Sequence, residues 1–85
     1  MTYQEMDTQA WQVLDRAHYL HPFTDHASLR QTGSRVAVRG EGVYVWDTEG
    51  ERIIDGLSGL GCVNVGYGRP ELVKAAADQM SELSY

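Results

Sequence analysis

The sequence predicts an α+β segment: a helix, a three-stranded antiparallel meander, a glycine-rich loop and a closing helix. Three observations carry this reading. One stretch near each end repeats apolar residues with the period of a helix. Between them lie three short runs rich in β-branched and aromatic residues, separated by glycine turns. Five glycines then crowd the interval from Gly56 to Gly68.

The first helix is predicted over about 8–19. Asp7 or Thr8 can cap it. Ala10, Val13, Leu14 and Ala17 follow at i, i+3, i+4 and i+7, and Trp11 widens the stripe. Pro22 ends the pattern, because it lacks an N–H and disfavours helical geometry at His21. Residues 20–34 read as a loop. The meander occupies about 35–55. Val36 and Val38 alternate in Arg35-Val36-Ala37-Val38-Arg39, and Gly40-Glu41-Gly42 interrupts the run. Val43-Tyr44-Val45-Trp46-Asp47 is the second strand, Thr48-Glu49-Gly50 a turn, and Arg52-Ile53-Ile54-Asp55 the third strand. The glycine-rich loop covers 56–69, where the backbone can take unusual φ or approach another group closely. Pro70 suits a first helical position. Leu72, Val73, Ala76, Met80 and Leu83 give the last helix its apolar stripe, over about 70–83. One small sheet and two helices leave much apolar surface without a partner, so the segment is expected to be part of something larger.

A chain of 85 residues holds at most one small domain, which buries only about 60–65% of the surface of its unfolded chain. With 42% hydrophobic and 22% charged residues the composition is that of a globular protein, not a disordered one. The net charge is −5, and the seven basic residues are scattered rather than gathered on one face. That argues against a nucleic-acid partner. Cys62 is the only cysteine, which excludes an internal disulfide and fits a reducing compartment. No apolar run nears the ~20 residues that span a bilayer. Met1 to Glu5 lacks the charge-then-apolar pattern of a signal peptide. A cytoplasmic protein with no membrane partner is expected.

The glycine loop fails each nucleotide-binding template on spacing. Gly59-Leu60-Gly61 needs a glycine where Asn64 stands, and Gly66-Tyr67-Gly68 needs one where Glu71 stands. Gly56-Leu57-Ser58-Gly59-Leu60 has leucine where a nucleophile elbow requires glycine. His18, His21 and His26 match no zinc spacing and read as solvated or hydrogen-bonded side chains. Cys62, in an apolar glycine-rich stretch, reads as a buried inert thiol. Trp11, Tyr44 and Trp46 read as packing residues. Phe23, beside Pro22 in a loop, either plugs a gap or lines a pocket, with packing the commoner outcome. The residues by themselves reveal no catalytic constellation.

Several motifs in register nevertheless resemble one family. They are His21-Pro22-Phe23-Thr24-Asp25-His26, the run Gly40 to Gly50, Asp55-Gly56-Leu57-Ser58-Gly59-Leu60, and Cys62-Val63-Asn64-Val65-Gly66-Tyr67-Gly68. Over residues 10–85 the chain is similar to class III aminotransferases, nearest to the ω-amino-acid or amine:pyruvate type. The resemblance implies the N-terminal segment of the small domain of a fold-type-I transferase that depends on pyridoxal 5'-phosphate, with the catalytic large domain outside this chain. It implies transfer of an amino group from an amine or ω-amino acid to a keto acid such as pyruvate. The cofactor supplies the electron sink and the protein orientation and charge.

The cofactor lysine and the aspartate on the pyridinium nitrogen lie far downstream in the family, and Lys74 is not placed as that lysine. This chain alone is therefore expected to be inactive. The family's pocket phenylalanine matches Phe23, and its pocket residues after the third strand match Leu60 and position 61. The family usually carries tryptophan at the latter, and this chain has Gly61. A homodimer with active sites at the subunit interface is implied for the whole protein. Two other readings stand beside this one: a stand-alone structural or interaction module, and a decarboxylase or aminomutase on the same fold. The Phe23 loop favours transamination.

Overall fold

Helix α1, Thr8–His18, begins where Asp7 caps it, the Asp7 carboxylate accepting from the Ala10 N–H at 2.8 Å. The structure, a computed structural model, describes residues 5–85. Six more elements follow: α2 His26–Thr32, β1 Ala37–Glu41, β2 Tyr44–Asp47, β3 Arg52–Ile54, α3 Ser58–Gly61 and α4 Pro70–Glu82.

The stretch 20–34, expected as loop, contains α2. Asp25 caps it, accepting from the N–H groups of Ala27 at 3.0 Å and Ser28 at 3.3 Å, and Gly33 closes it at φ 76°. Seven residues are two turns, too few for an apolar period to register. The caps were the legible signal, with an acid before the helix and a glycine after it.

The three strands form one antiparallel sheet in the order β1-β2-β3. Tyr44 pairs with Ile54 and Trp46 with Arg52, while Glu41 pairs with Tyr44 across the loop Gly42-Val43. Gly40 and Glu41, expected to interrupt the first strand, belong to it, and the chain turns only at Gly42, whose φ is 59°. A bulge between Ala37 and Arg39 shifts the register. Aromatic residues of β2 pack beneath basic neighbours: the Arg39 guanidinium lies 3.8 Å from the Trp46 ring centroid, and that of Arg52 lies 4.5 Å from Tyr44.

The β2–β3 turn is built on Asp47, which is 6% exposed. Its Oδ1 accepts the N–H groups of Glu49 at 3.0 Å and Glu51 at 2.9 Å. Helix α1 is tied to this turn by the Thr8 hydroxyl, which donates to Thr48 Oγ1 at 2.7 Å, and its middle is held by Gln12, whose amide donates to the Ser34 carbonyl at 2.9 Å.

Among the described residues no hydrophobic side chain is fully buried, and only Ser34 and Asp47 fall below a tenth exposed. Every residue of α4 is exposed, including the stripe Leu72, Val73 and Met80. The radius of gyration is 15.6 Å, against about 12 Å for a compact chain of this length. These elements make a sheet with appended helices, not a closed core. No helix among the described residues is long and apolar enough to cross a membrane.

Candidate functional site

Three residues other than glycine hold positive φ among the described residues: Phe23 at 50°, Ser58 at 51° and Leu60 at 60°. Two of them are pocket residues expected from the sequence. A bulky side chain in this region costs roughly 1–2 kcal/mol, and such strain collects where a site needs an unusual backbone.

In α3 the positive φ angles are consecutive. Ser58, Gly59 at 56°, Leu60 and Gly61 at 80° make one left-handed turn. Its internal hydrogen bonds run from Gly61 N–H to the Leu57 carbonyl at 3.0 Å and from Val63 N–H to the Ser58 carbonyl at 2.8 Å. Leu60 is 80% exposed at its crest, and a Cβ added at Gly61 would meet nothing within 4 Å. Leu60 and Gly61 thus stand side by side, facing open space. Cys62, expected to be buried, is exposed here and directs its Sγ toward the Leu60 carbonyl at 3.9 Å. The left-handed turn leaves residues 60–62 exposed, which the composition of the stretch could not reveal.

Asp55 anchors the turn at its base. Its Oδ1 accepts from the Leu57 N–H at 3.1 Å, and its Oδ2 accepts from the Gly59 N–H at 2.8 Å and from the Tyr67 hydroxyl at 2.6 Å. The Tyr67 bond, followed by the backbone donors, holds the Asp55 carboxyl below the usual aspartate range, and the same bond raises the Tyr67 phenol. Tyr67 is itself fixed to the sheet edge, exchanging backbone hydrogen bonds with Gly42 at 3.1 and 2.8 Å. The sequence reading missed this pair. The glycines flanking Tyr67 were a sign of close backbone approach, but nothing local says that residue 67 returns to residue 55.

Phe23 lies on the turn between α1 and α2 and is fully exposed, so within this chain it touches neither Leu60 nor Gly61. The nearby loop is held by His21, whose Nε2 lies 2.8 Å from both carboxylate oxygens of Asp15 and whose ring meets Tyr19 edge-on. That bond lowers the Asp15 carboxyl from its usual range. His21 is therefore engaged with a carboxylate, and among the described residues no group of histidine, cysteine and acidic side chains is placed to hold a metal ion. A cleft of about 140 Å³ opens between α1 and α2, and one of about 320 Å³ beside Tyr67 and Val63; Phe23, Leu60 and Gly61 line neither.

The residues present do not fit as a cradle for pyridoxal phosphate. Lys74 is the one lysine of the chain, and it is exposed on α4 and paired with Asp78 at 2.6 Å.

Residues 27–85 match the family described as class-III aminotransferase. The putrescine–pyruvate aminotransferase of Pseudomonas aeruginosa is 55% identical over 78 residues, covering 92% of this chain and 17% of that protein. An (S)-enantioselective omega-transaminase from Thermomicrobium roseum superposes with a TM-score of 0.85 at 49% identity, again over 92% of this chain and 17% of the other. A thermostable omega transaminase variant, with one tryptophan replaced by glycine and engineered for asymmetric synthesis of enantiopure bulky amines, superposes with a TM-score of 0.79 at 34% identity, over 86% of this chain and 16% of that one. The chain spans about 17% of the length of these relatives.

Proposed function

The chain belongs to the class III aminotransferase family, and from that premise we propose that the protein carrying it transfers amino groups from an amine or ω-amino acid to pyruvate or a similar keto acid. Pyridoxal phosphate supplies the electron sink in such a reaction. This chain supplies part of the substrate pocket, with Phe23, Leu60 and Gly61 as its lining residues. It is the N-terminal segment of the small domain, and the cofactor lysine lies in another part of the protein. The protein works as a homodimer in the cytoplasm, its partners being small-molecule amine and keto acid.

The observation that carries the activity is the 55% identity to a putrescine–pyruvate aminotransferase. The left-handed backbone at Phe23 and Leu60 supports the site, because strain of this kind in residues other than glycine persists only where the surroundings over-determine it, and it collects at functional sites. Gly61 offers open space where the family carries tryptophan, whose side chain covers about 150–250 Å². A donor bulkier than the family's usual substrates fits there. The solved variant with tryptophan replaced by glycine was engineered for bulky amines.

The test is direct. The protein carrying this segment, purified with pyridoxal phosphate, is given putrescine or a bulky primary amine with pyruvate, and alanine is measured. Alanine formed in step with loss of the amine supports the reading, and carbon dioxide release without alanine sinks it in favour of decarboxylation. Borohydride treatment of the 85-residue chain with the cofactor should trap no stoichiometric adduct at Lys74.

A further inference from the structure

We propose that Asp55 and Tyr67 are positioning residues for the substrate pocket, their hydrogen bond holding the turn Ser58–Gly61 in the left-handed shape that presents Leu60 and Gly61 to the amine donor. The proposal rests on the reading that Leu60 and Gly61 line that pocket.

A turn with Ser58 and Leu60 at positive φ does not keep itself. Leucine in particular gains by returning to ordinary backbone angles. The bonds inside the turn close a ring but refer it to nothing outside. Asp55 provides that reference. It follows β3 directly, and its own N–H donates to the Val43 carbonyl at 2.9 Å, so its backbone belongs to the sheet. Its carboxylate then grips the N–H groups of Leu57 and Gly59. A carboxylate on one side-chain stem can still rotate, and Tyr67 removes that freedom by donating to Oδ2 at 2.6 Å.

Tyr67 can do so because its own place is over-determined. Its backbone pairs with Gly42 in both directions, and its ring rests on Gly40, where a Cβ would fall 2.6 Å from Cγ. Gly66 lies equally close, since a Cβ there would meet the Gly42 carbonyl at 2.9 Å. Gly40 and Gly66 let the returning segment lie against the hairpin. Position therefore passes from the sheet edge to Tyr67, to Asp55, to Gly59, and so to Leu60 and Gly61. Neither Asp55 nor Tyr67 needs to touch the substrate. Each sets the wall that does.

The experiment uses the cofactor-loaded protein carrying this segment, as wild type, Tyr67→Phe, Asp55→Asn and the double variant. A small and a bulky amine are compared with pyruvate as acceptor. A hydrogen bond to a charged group is worth about ten-fold or more in an equilibrium, of which only part is passed on to the wall that meets the donor. Each single variant is expected to raise KM for the bulky donor about five- to ten-fold more than for the small one. The double variant should do no worse than the more affected single, because Tyr67 acts on the turn through Asp55. A merely structural role lowers the folded fraction, which cuts the apparent kcat for both donors alike and leaves the KM values. Equal effects on both donors, or additive effects in the double variant, overturn the proposal.

Absence of any transamination by the wild type sinks the activity instead, and amide hydrogen exchange then judges the clamp. Tyr67→Phe should speed exchange at Leu57, Gly59 and Gly61 while leaving Val45 and Ile53 unchanged. Unaltered exchange across 57–61 overturns it.

Discussion

Gly40 lies beneath the ring of Tyr67: a Cβ built on Gly40 would sit 2.6 Å from Tyr67 Cγ and 2.9 Å from its Cβ. The clash is with the root of the side chain, so a rotamer change does not relieve it. Gly40→Ala must push Tyr67 off the hairpin edge. Overpacking of this kind costs about 1–3 kcal/mol. The expected result is a lower Tm for the protein carrying the segment, together with the selective rise in KM for the bulky donor expected for Tyr67→Phe. A Tm equal to wild type would show that the hairpin and the loop do not meet this closely.

Asp47 tests the turn that ties α1 to the sheet. Asp47→Ala leaves the N–H groups of Glu49 and Glu51 without their acceptor and removes one of two partners of Arg35, whose Nε lies 3.5 Å from Asp47 and whose Nη2 lies 3.1 Å from Glu51. Glu49 and Glu51 are exposed, so their N–H groups turn to water and each lost bond costs about 0.5–1.5 kcal/mol. Asp47→Asn keeps an oxygen in place of Oδ1 and should lose less than half as much. The check is the midpoint of denaturant unfolding at constant slope. Equal losses for alanine and asparagine would mean that charge, not the accepted hydrogen bonds, is what matters.

At Gly61 two effects need separating. The residue sits at φ 80°, where any side chain is strained, yet a Cβ meets open space. Gly61→Ala adds the strain and almost no bulk; Gly61→Trp adds both. Alanine should lower kcat/KM for small and bulky amines by a similar factor. Tryptophan should lower it much further for the bulky amine than for the small one. Similar losses on both donors in Gly61→Trp would mean that the position does not shape the pocket.

The bond between Asp55 and Tyr67 has a pH window. Asp55 is held below its ordinary 3.8, so its contribution to stability is present above that value and is lost as pH falls through its depressed folded one. Tyr67 is raised above its ordinary 10.0, so its contribution is full below that value and is lost as pH rises through the elevated one. The difference in Tm between wild type and Tyr67→Phe should stay level from about pH 5 to 9 and shrink below about 4 and above about 10. A difference that persists unchanged at pH 2 would rule out the carboxylate as the acceptor that matters.

The 85-residue chain on its own should not melt as a cooperative monomer. With no hydrophobic side chain fully buried among the described residues, and Leu72, Val73, Met80 and Leu83 all more than half exposed on and just after α4, burial offers little to oppose chain entropy. Sedimentation and thermal scans should show self-association or a broad, concentration-dependent transition. A sharp transition independent of concentration would contradict this.

The sequence by itself determined the elements whose signals are local. Asp7 and the Ala10, Val13, Leu14 and Ala17 stripe announce α1, Pro70 and its stripe announce α4, and glycine turns between Val- and aromatic-rich runs announce the meander. Helix α2 was legible only through its caps, since two turns carry no readable period. Motifs in register carried the family. Tertiary structure alone decided the rest. That Ser58 to Gly61 wind left-handed, that Cys62 is exposed, and that Tyr67 comes back to Asp55 and Gly42 all depend on contacts between residues distant in sequence. Composition can say that a glycine-rich stretch is free to take unusual angles. Only the hydrogen bonds that close on it say which angles it takes.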